Sequence, residues 1–160
     1  MLPDVVRTRH LAMLGFLKSM LEEADVQAEL FEMSDQLPVS VLMTTIGPDS
    51  KGRDRTLHFS FIPVDDEDIV SIQLLQLYST MPYRIESGRR EALAQQLLEI
   101  NGQCPFGHFG ISEQEQLYFR YQYAVSASRL FERDEMMEVI GLIIQTIEAF
   151  DEQLEQAASG

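Results

Sequence analysis

Residues 133–156 carry the pattern that most constrains the fold. Apolar side chains recur there at alternating spacings of four and three residues, which predicts an amphipathic α-helix. Met137, Val139 and Ile144 make the apolar stripe broader than the seam of a coiled coil, and acidic and amide side chains occupy the opposite face. A helix with this face needs another layer to cover it, so we expect most of it to lie on a sheet as core. The stripe consists of Met136, Ile140, Ile143, Ile147, Phe150 and Leu154.

Residues 106–125 predict a β-hairpin, because a polar turn separates two arms rich in apolar residues. The second arm alternates strictly. Its odd-numbered positions from Leu117 to Tyr123 are apolar or aromatic, and Tyr118 and Arg120 lie on the other side of the strand. This period of two is typical of a sheet that buries one face.

Three earlier segments also have the composition of strands. Residues 39–46 and 55–64 flank a loop rich in Gly, Pro and Asp, and the second of them alternates cleanly. Residues 69–78 predict a further strand, whose apolar set moves between faces and so indicates a bulge or a change of face. Residues 26–33 are ambiguous between a strand and a helix tail, and we favour a strand.

Two more helices complete the order of elements. Leucines at steps of three and four predict a first helix ending at about Ala24, and a second begins near Ser87, a suitable N-cap, and ends before Gly102 and Pro105. The order is therefore helix, three or four strands, helix, two strands, helix. We expect one α+β domain over residues 1–160, with a single antiparallel sheet packed with helices.

Charge is the strongest deviation in composition. The chain has 26 acidic and 12 basic residues, a net charge of -14, and a pI near 4.4. This negative field disfavours binding to nucleic acids and to anionic membranes, because proteins that bind them use basic side chains to do so. The acidity either serves solubility alone or favours basic partners, and both readings stay open. Without a recognisable signal peptide or a long apolar run, we expect a cytoplasmic protein.

The search for chemistry finds no active site. Cys104 and His108 form a C-x3-H pair, but two ligands cannot complete a zinc shell and nothing marks a third catalytic group. The acidic residues 65–68 lack the spacing of a calcium loop and read as a solvated turn. The basic cluster at Arg84, Arg89 and Arg90 pairs either with the chain's own carboxylates or with an acidic partner. We therefore expect no enzyme, no cofactor and no metal.

Residues 100–111 (INGQCPFGHFGI), followed by residues 118–121 (YFRY) and the acidic, Ile-rich final helix, resemble the bacterial YbjN-like proteins. That family is assigned to the regulation of sensory transduction and shares its fold with the CesT-like type III secretion chaperones. The likeness covers residues 87–155 and rests before that on element order and size. It implies an α-β-β-β-α-β-β-α domain that commonly dimerises, has no catalytic residues and, in secretion chaperones, wraps an extended client segment.

These observations favour a non-catalytic, chaperone-like or regulatory homodimer that binds a protein or peptide client by strand addition or in a groove. An alternative is a small-molecule sensor with Cys104 and His108 near the mouth of a pocket, and an unrecognised enzyme is a third reading. The predicted client surface is Leu14, Leu17, Tyr118 and Tyr123. The predicted dimer surface is Leu93, Leu97, Ile100 and Arg120, with the C-terminal stripe as the alternative.

Overall fold

A computed structural model, which describes residues 2–160, contains three helices and one six-stranded sheet. The α+β class and the predicted order of elements are confirmed, with four strands before the second helix. The ambiguous segment is one of them, strand β1. The elements are α1 (Asp4–Glu23), β1 (Ala28–Phe31), β2 (Val41–Thr45), β3 (Thr56–Ile62), β4 (Ile72–Thr80), α2 (Arg90–Gln103), β5 (His108–Ile111), β6 (Leu117–Ser126) and α3 (Arg133–Ser159).

The sheet is antiparallel throughout, with strand order β1-β2-β3-β4-β6-β5. The four central strands are five to ten residues long, whereas β1 and β5 at the edges have four residues each. Short edge strands offer few unpaired backbone groups, which limits pairing with other chains.

All three helices lie on the same face of the sheet. The ring of His10 in α1 stacks on Phe61 of β3 with 4.7 Å between centroids, and Phe150 in α3 meets the edge of Phe109 in β5 at 6.1 Å. Asn101 in α2 both donates to and accepts from the main chain of Phe109 (2.9 and 2.8 Å). Side chains of one parity are therefore buried under the helices, and those of the other parity form an open face.

The core between sheet and helices is one cluster of aliphatic and phenylalanine side chains. The predicted stripe of α3 is part of it, and Ile143, Ile147 and Leu154 have no exposed surface. Burial of a side chain of this size stabilises the fold by about 1.5–3 kcal/mol. The largest fully buried side chains are Phe59, Phe61, Phe109, Phe119, Leu14, Leu17, Leu21, Leu42, Leu57, Leu75, Leu77 and Leu93.

The ends of the first two helices have local causes. After α1, Asp25 takes a left-handed conformation (φ 58°), and the Val26 amide donates to the Leu21 carbonyl at 2.9 Å, as in a Schellman motif. Helix α2 begins after Arg89, so the prediction of Ser87 as its N-cap is wrong. It ends before Pro105 as predicted, because a residue that precedes proline favours extended backbone, but Gly102 lies inside the helix, so the predicted end before Gly102 is wrong.

Strand β4 contains no bulge. Its register is continuous with β3 from Leu74 to Tyr78 and with β6 from Ile72 to Thr80. The apolar set changes parity because Leu75 and Leu77 face the core, whereas Ile72 and Leu74 lie on the open face. The strand is thus apolar on both of its faces over part of its length.

Candidate functional site

The open face of the sheet contains almost no charge. Strands β2 to β6 contain no Asp or Glu, although the chain has 26 acidic residues. Arg120 is their only Lys or Arg, and Glu29 on edge strand β1 is the one carboxylate of the sheet. Apart from Glu29, which lies at the sheet edge on the open face, the Asp and Glu residues of the chain lie on helices and loops.

Strand pairing brings one row of side chains together across the open face. His58, Tyr78, Arg120 and His108 occupy directly opposed positions on β3, β4, β6 and β5. Tyr118 lies in the next row and stacks on Tyr78, with ring centroids 5.0 Å apart. We call these five residues the open-face cluster. All five are half-buried.

Arg120 contacts the rings of two neighbouring residues in this cluster. Its guanidinium carbon lies 5.6 Å from the ring centroid of Tyr118, a cation–π contact. Its Nη2 lies 3.2 Å from Nε2 of His108. Tyr118 in turn crosses Gly110 of β5, where a Cβ atom would lie 2.5 Å from the tyrosine hydroxyl, so that only glycine leaves room for this ring.

Protonation states follow from these contacts. A guanidinium only donates, so Nε2 of His108 accepts and its proton resides on Nδ1. Burial, and secondarily the Arg120 cation, lowers the pKa of His108, and burial also lowers the pKa of His58. Both imidazoles are neutral at pH 7. Arg120 then has no carboxylate within salt-bridge distance among residues 2–160, and its buried Nε has no hydrogen-bond partner there.

The structure places the predicted client residues on two different sides. Tyr118 belongs to the open-face cluster. Tyr123 has the opposite parity on β6, and its hydroxyl lies 4.0 Å from Sδ of Met136 in α3. Leu14 and Leu17 have no exposed surface, so their prediction as client contacts is wrong in this structure: the apolar face of α1 is used to cover the sheet.

The predicted dimer residues of α2 are also core residues. Leu93 and Ile100 have no exposed surface and Leu97 retains very little. Their side chains point from α2 into the core and are not available to a second copy, so that prediction is wrong. Arg120, the fourth predicted dimer residue, lies on the open face instead.

Cys104 and His108 do not form a pair. Cys104 packs against the core at the end of α2, where burial raises its pKa, whereas His108 lies on the open face of β5. Within the described part of the chain, no three His, Cys, Asp or Glu residues gather in a way that could hold a metal ion.

A second polar cluster lies on the helix side and joins the β2–β3 loop to α3. Arg53 makes a bidentate ion pair with Glu155 (2.7 and 2.9 Å) and donates from Nε to Asp49 (2.7 Å). Hydrogen bonds from Arg53 lower the pKa of Glu155. Because each of these two carboxylates already has its cation, we interpret the cluster as a clamp between loop and helix rather than as acid–base machinery. The sequence did not predict this clamp, since Arg53 and Glu155 are 102 positions apart.

The family model of YbjN, described as "Putative bacterial sensory transduction regulator", matches residues 48–156. The chain belongs to the YbjN family. No curated protein matches the sequence significantly. Among residues 2–160, no helix is long and apolar enough to cross a membrane.

The YbjN match covers both polar clusters described above. It begins at the loop that holds Asp49 and Arg53 and ends beside Glu155, and it includes the whole open-face cluster. The resemblance predicted from residues 87–155 therefore extends about 40 residues towards the N-terminus. Helix α1 and strands β1 and β2 lie outside the match.

Proposed function

We propose that the protein is a non-catalytic regulatory module that binds a segment of another polypeptide on the open face of its sheet. The observation that supports this most directly is the absence of carboxylates from β2 to β6 in a chain of net charge -14. A surface that only needed to stay soluble would carry a share of the 26 acidic residues.

The composition of the open face favours a polypeptide as the ligand. Protein interfaces are depleted in charged residues at their centre and enriched in Tyr, Met and Arg. The open face carries Tyr78, Tyr118 and Arg120, with Met43 on β2 in the row of His58 and Leu74 further along β4. Such aromatic and arginine side chains are the residue types that dominate binding energies.

Charge complementarity defines one feature of the bound segment. Arg120 lacks an acidic partner and is stacked on an aromatic ring, so a carboxylate on the client would satisfy its guanidinium through charge-assisted hydrogen bonds. At physiological salt the screening length is about 8 Å, so this local pairing tolerates the negative charge elsewhere on the protein. The client segment is therefore apolar with an acidic residue.

The open face is less suited to a second copy of the chain. Two copies meeting there would each bring an unpaired Arg120, whereas the one carboxylate that the face offers, Glu29, lies on the edge strand β1. A homodimer, which remains part of this proposal together with a cytoplasmic location, would use another surface. Leu98 is a candidate, since it is 80% exposed on α2.

The binding proposal is tested by selecting peptides from a phage-displayed library of random 16-residue sequences on the purified protein. Selected peptides are synthesised, and their dissociation constants are measured by fluorescence anisotropy. We expect peptides with apolar residues and at least one Asp or Glu, and an affinity at least tenfold weaker for Arg120→Gln. Arg129→Gln, an exposed arginine outside the sheet, is the matched control and should bind like the wild type. Failure to select any binding peptide, or equal affinity for Arg120→Gln, contradicts the proposal.

The homodimer is tested by size-exclusion chromatography with light scattering at two salt concentrations. We expect a mass of twice 18.3 kDa for the wild type. A monomer would remove dimerisation from the proposal without affecting the peptide experiment.

A further inference from the structure

The two opposite charges of the open face lie in one row of side chains. Strand pairing continues the row of the open-face cluster from His58 through Met43 on β2 to Glu29 on β1. Glu29 is thus at one end of the row, and Arg120 with its neighbour His108 is at the other. Apart from Arg120, strands β2 to β6 have no Asp, Glu, Lys or Arg. The face is therefore negative at one end and positive at the other, along a line that crosses the strands.

The negative end of the row lacks a cation of its own. Glu29 is exposed, and it has no basic group within salt-bridge distance among residues 2–160. A depression of about 700 Å³ beside it is lined by three carboxylates and by no basic side chain. One of the three, Glu22, is paired with Lys18 of α1, whereas Asp25 and Glu29 are not paired within the described chain. A basic side chain of a ligand would find two carboxylates here.

The length of the row sets the spacing of the charges on a bound segment. Neighbouring strands are about 4.8 Å apart, so the four intervals from Glu29 on β1 to Arg120 on β6 span about 19 Å. An extended chain advances about 3.3 Å per residue, so about six residues cover this distance. Residues two, four and six positions apart in an extended chain point to the same side. An acidic and a basic residue six positions apart would therefore both face the sheet.

We propose that the open face binds an extended client segment that crosses the strands, with an acidic residue at Arg120 and a basic residue six positions away at Glu29. The two intervening side chains that face the sheet are apolar, because they lie over Met43 and over the stacked rings of Tyr78 and Tyr118. The inference rests on the proposed function, and it adds the second charge of the client, the spacing of the two charges and the path across the sheet.

The net charge of the protein acts differently on the two ends of such a segment. A net charge of -14 attracts the basic residue from a distance, whereas the acidic residue is bound only through its local pairing with Arg120. A test of the contact with Glu29 therefore needs a control that changes the net charge equally at another place.

The probe is a nine-residue peptide with Glu at its second position, Lys at its eighth, Leu and Tyr at the fourth and sixth, and Ser elsewhere. The reversed sequence is made as well, since the row does not fix the chain direction. Fluorescence anisotropy measures the dissociation constants. We expect one of the two directions to bind at least fivefold more tightly than a peptide of the same composition in which Glu and Lys are two positions apart.

Charge reversal locates the basic residue. Glu29→Lys should weaken binding at least tenfold, because two cations then face each other, and replacing the peptide lysine by Glu should restore the affinity to within about threefold. Glu32→Lys is the matched control. It makes the same change in net charge at an exposed glutamate just after β1, beside Asp4 and Arg7 of α1, and should bind like the wild type.

The outcomes separate this inference from the proposed function. If the peptides bind through Arg120 but Glu29→Lys binds as tightly as the wild type, this inference is overturned and the proposed function stands. The same holds if peptides selected from the library bind and both designed directions do not. If no peptide of either kind binds, both are overturned. A wild-type dimer that dissociates in both Glu29→Lys and Arg120→Gln would show that the face pairs with a second copy, and would overturn both as well.

Discussion

At the scale of single residues, Asp151 is a buried carboxylate on α3 whose Oδ1 has no hydrogen-bond partner in the described chain. Burial raises its pKa, and Asp49 and Glu155 add to the shift. Because the folded state binds the proton more tightly than the unfolded state, this carboxyl favours folding below its ordinary pKa and disfavours it once ionised. We expect Asp151→Asn to raise the free energy of unfolding by about 1 kcal/mol at pH 7, and by less at pH 4.

Urea unfolding at the two pH values measures this gain. Glu152→Gln changes the next residue, which is exposed, and should alter stability by less than about 0.5 kcal/mol. A loss of stability in Asp151→Asn at pH 7 would mean that the ionised carboxylate has a favourable role.

At the scale of elements, the clamp joins the β2–β3 loop to α3. Burial alone would raise the pKa of Asp49, but hydrogen bonds from Arg53 and Lys51 bring it below its ordinary value. The Asp49 side chain is 1% exposed, so removing its cation leaves a nearly buried charge. We expect Arg53→Ala to lower the free energy of unfolding by about 2 kcal/mol, somewhat less than a fully buried pair.

Lys51→Ala is the matched control, since Lys51 contacts the same Glu155 at 3.0 Å but is largely exposed. Its effect should stay below about 0.5 kcal/mol. Hydrogen exchange should show faster exchange of the loop amides in Arg53→Ala alone. Equal effects of the two substitutions would show that the clamp is only a surface interaction.

At the scale of the whole molecule, all three histidines have a lowered pKa because of burial. A lowered histidine pKa means that the unfolded chain binds more protons below pH 6.5, so stability is complete above that pH and declines as the pH falls towards the folded-state values. Asp49 and Glu155 also have lowered pKa values, so their protonation lowers stability as the pH falls as well, but only at more acidic pH.

We therefore expect the melting temperature to fall between pH 7.5 and pH 5.5, a window in which most carboxylates stay ionised. The double variant His58→Gln/His108→Gln should show a shallower fall in that window, by thermal unfolding followed with circular dichroism. An identical pH profile for wild type and double variant would show that these two histidines do not govern acid stability.

Local periodicity in the sequence determined most of the elements. Three- and four-residue spacings specify α3 and its buried stripe, because residues three and four positions apart lie on the same face of a helix. Strict alternation specifies β6, and with it the fact that Tyr118 and Arg120 share a side that Tyr123 does not. The resemblance to the YbjN family, based on residues 87–155, is also confirmed by the family match.

Only the tertiary structure decided which apolar faces are covered and which residues meet. An amphipathic pattern does not say what covers it, and so Leu14 and Leu93 were predicted as surface contacts although they are core residues. The open-face cluster depends on the pairing of β4 with β6 and of β3 with β4, and register is a long-range property that residue spacing does not encode. The burial of Gln73 on β4 likewise depends on the helices that cover this side of the sheet.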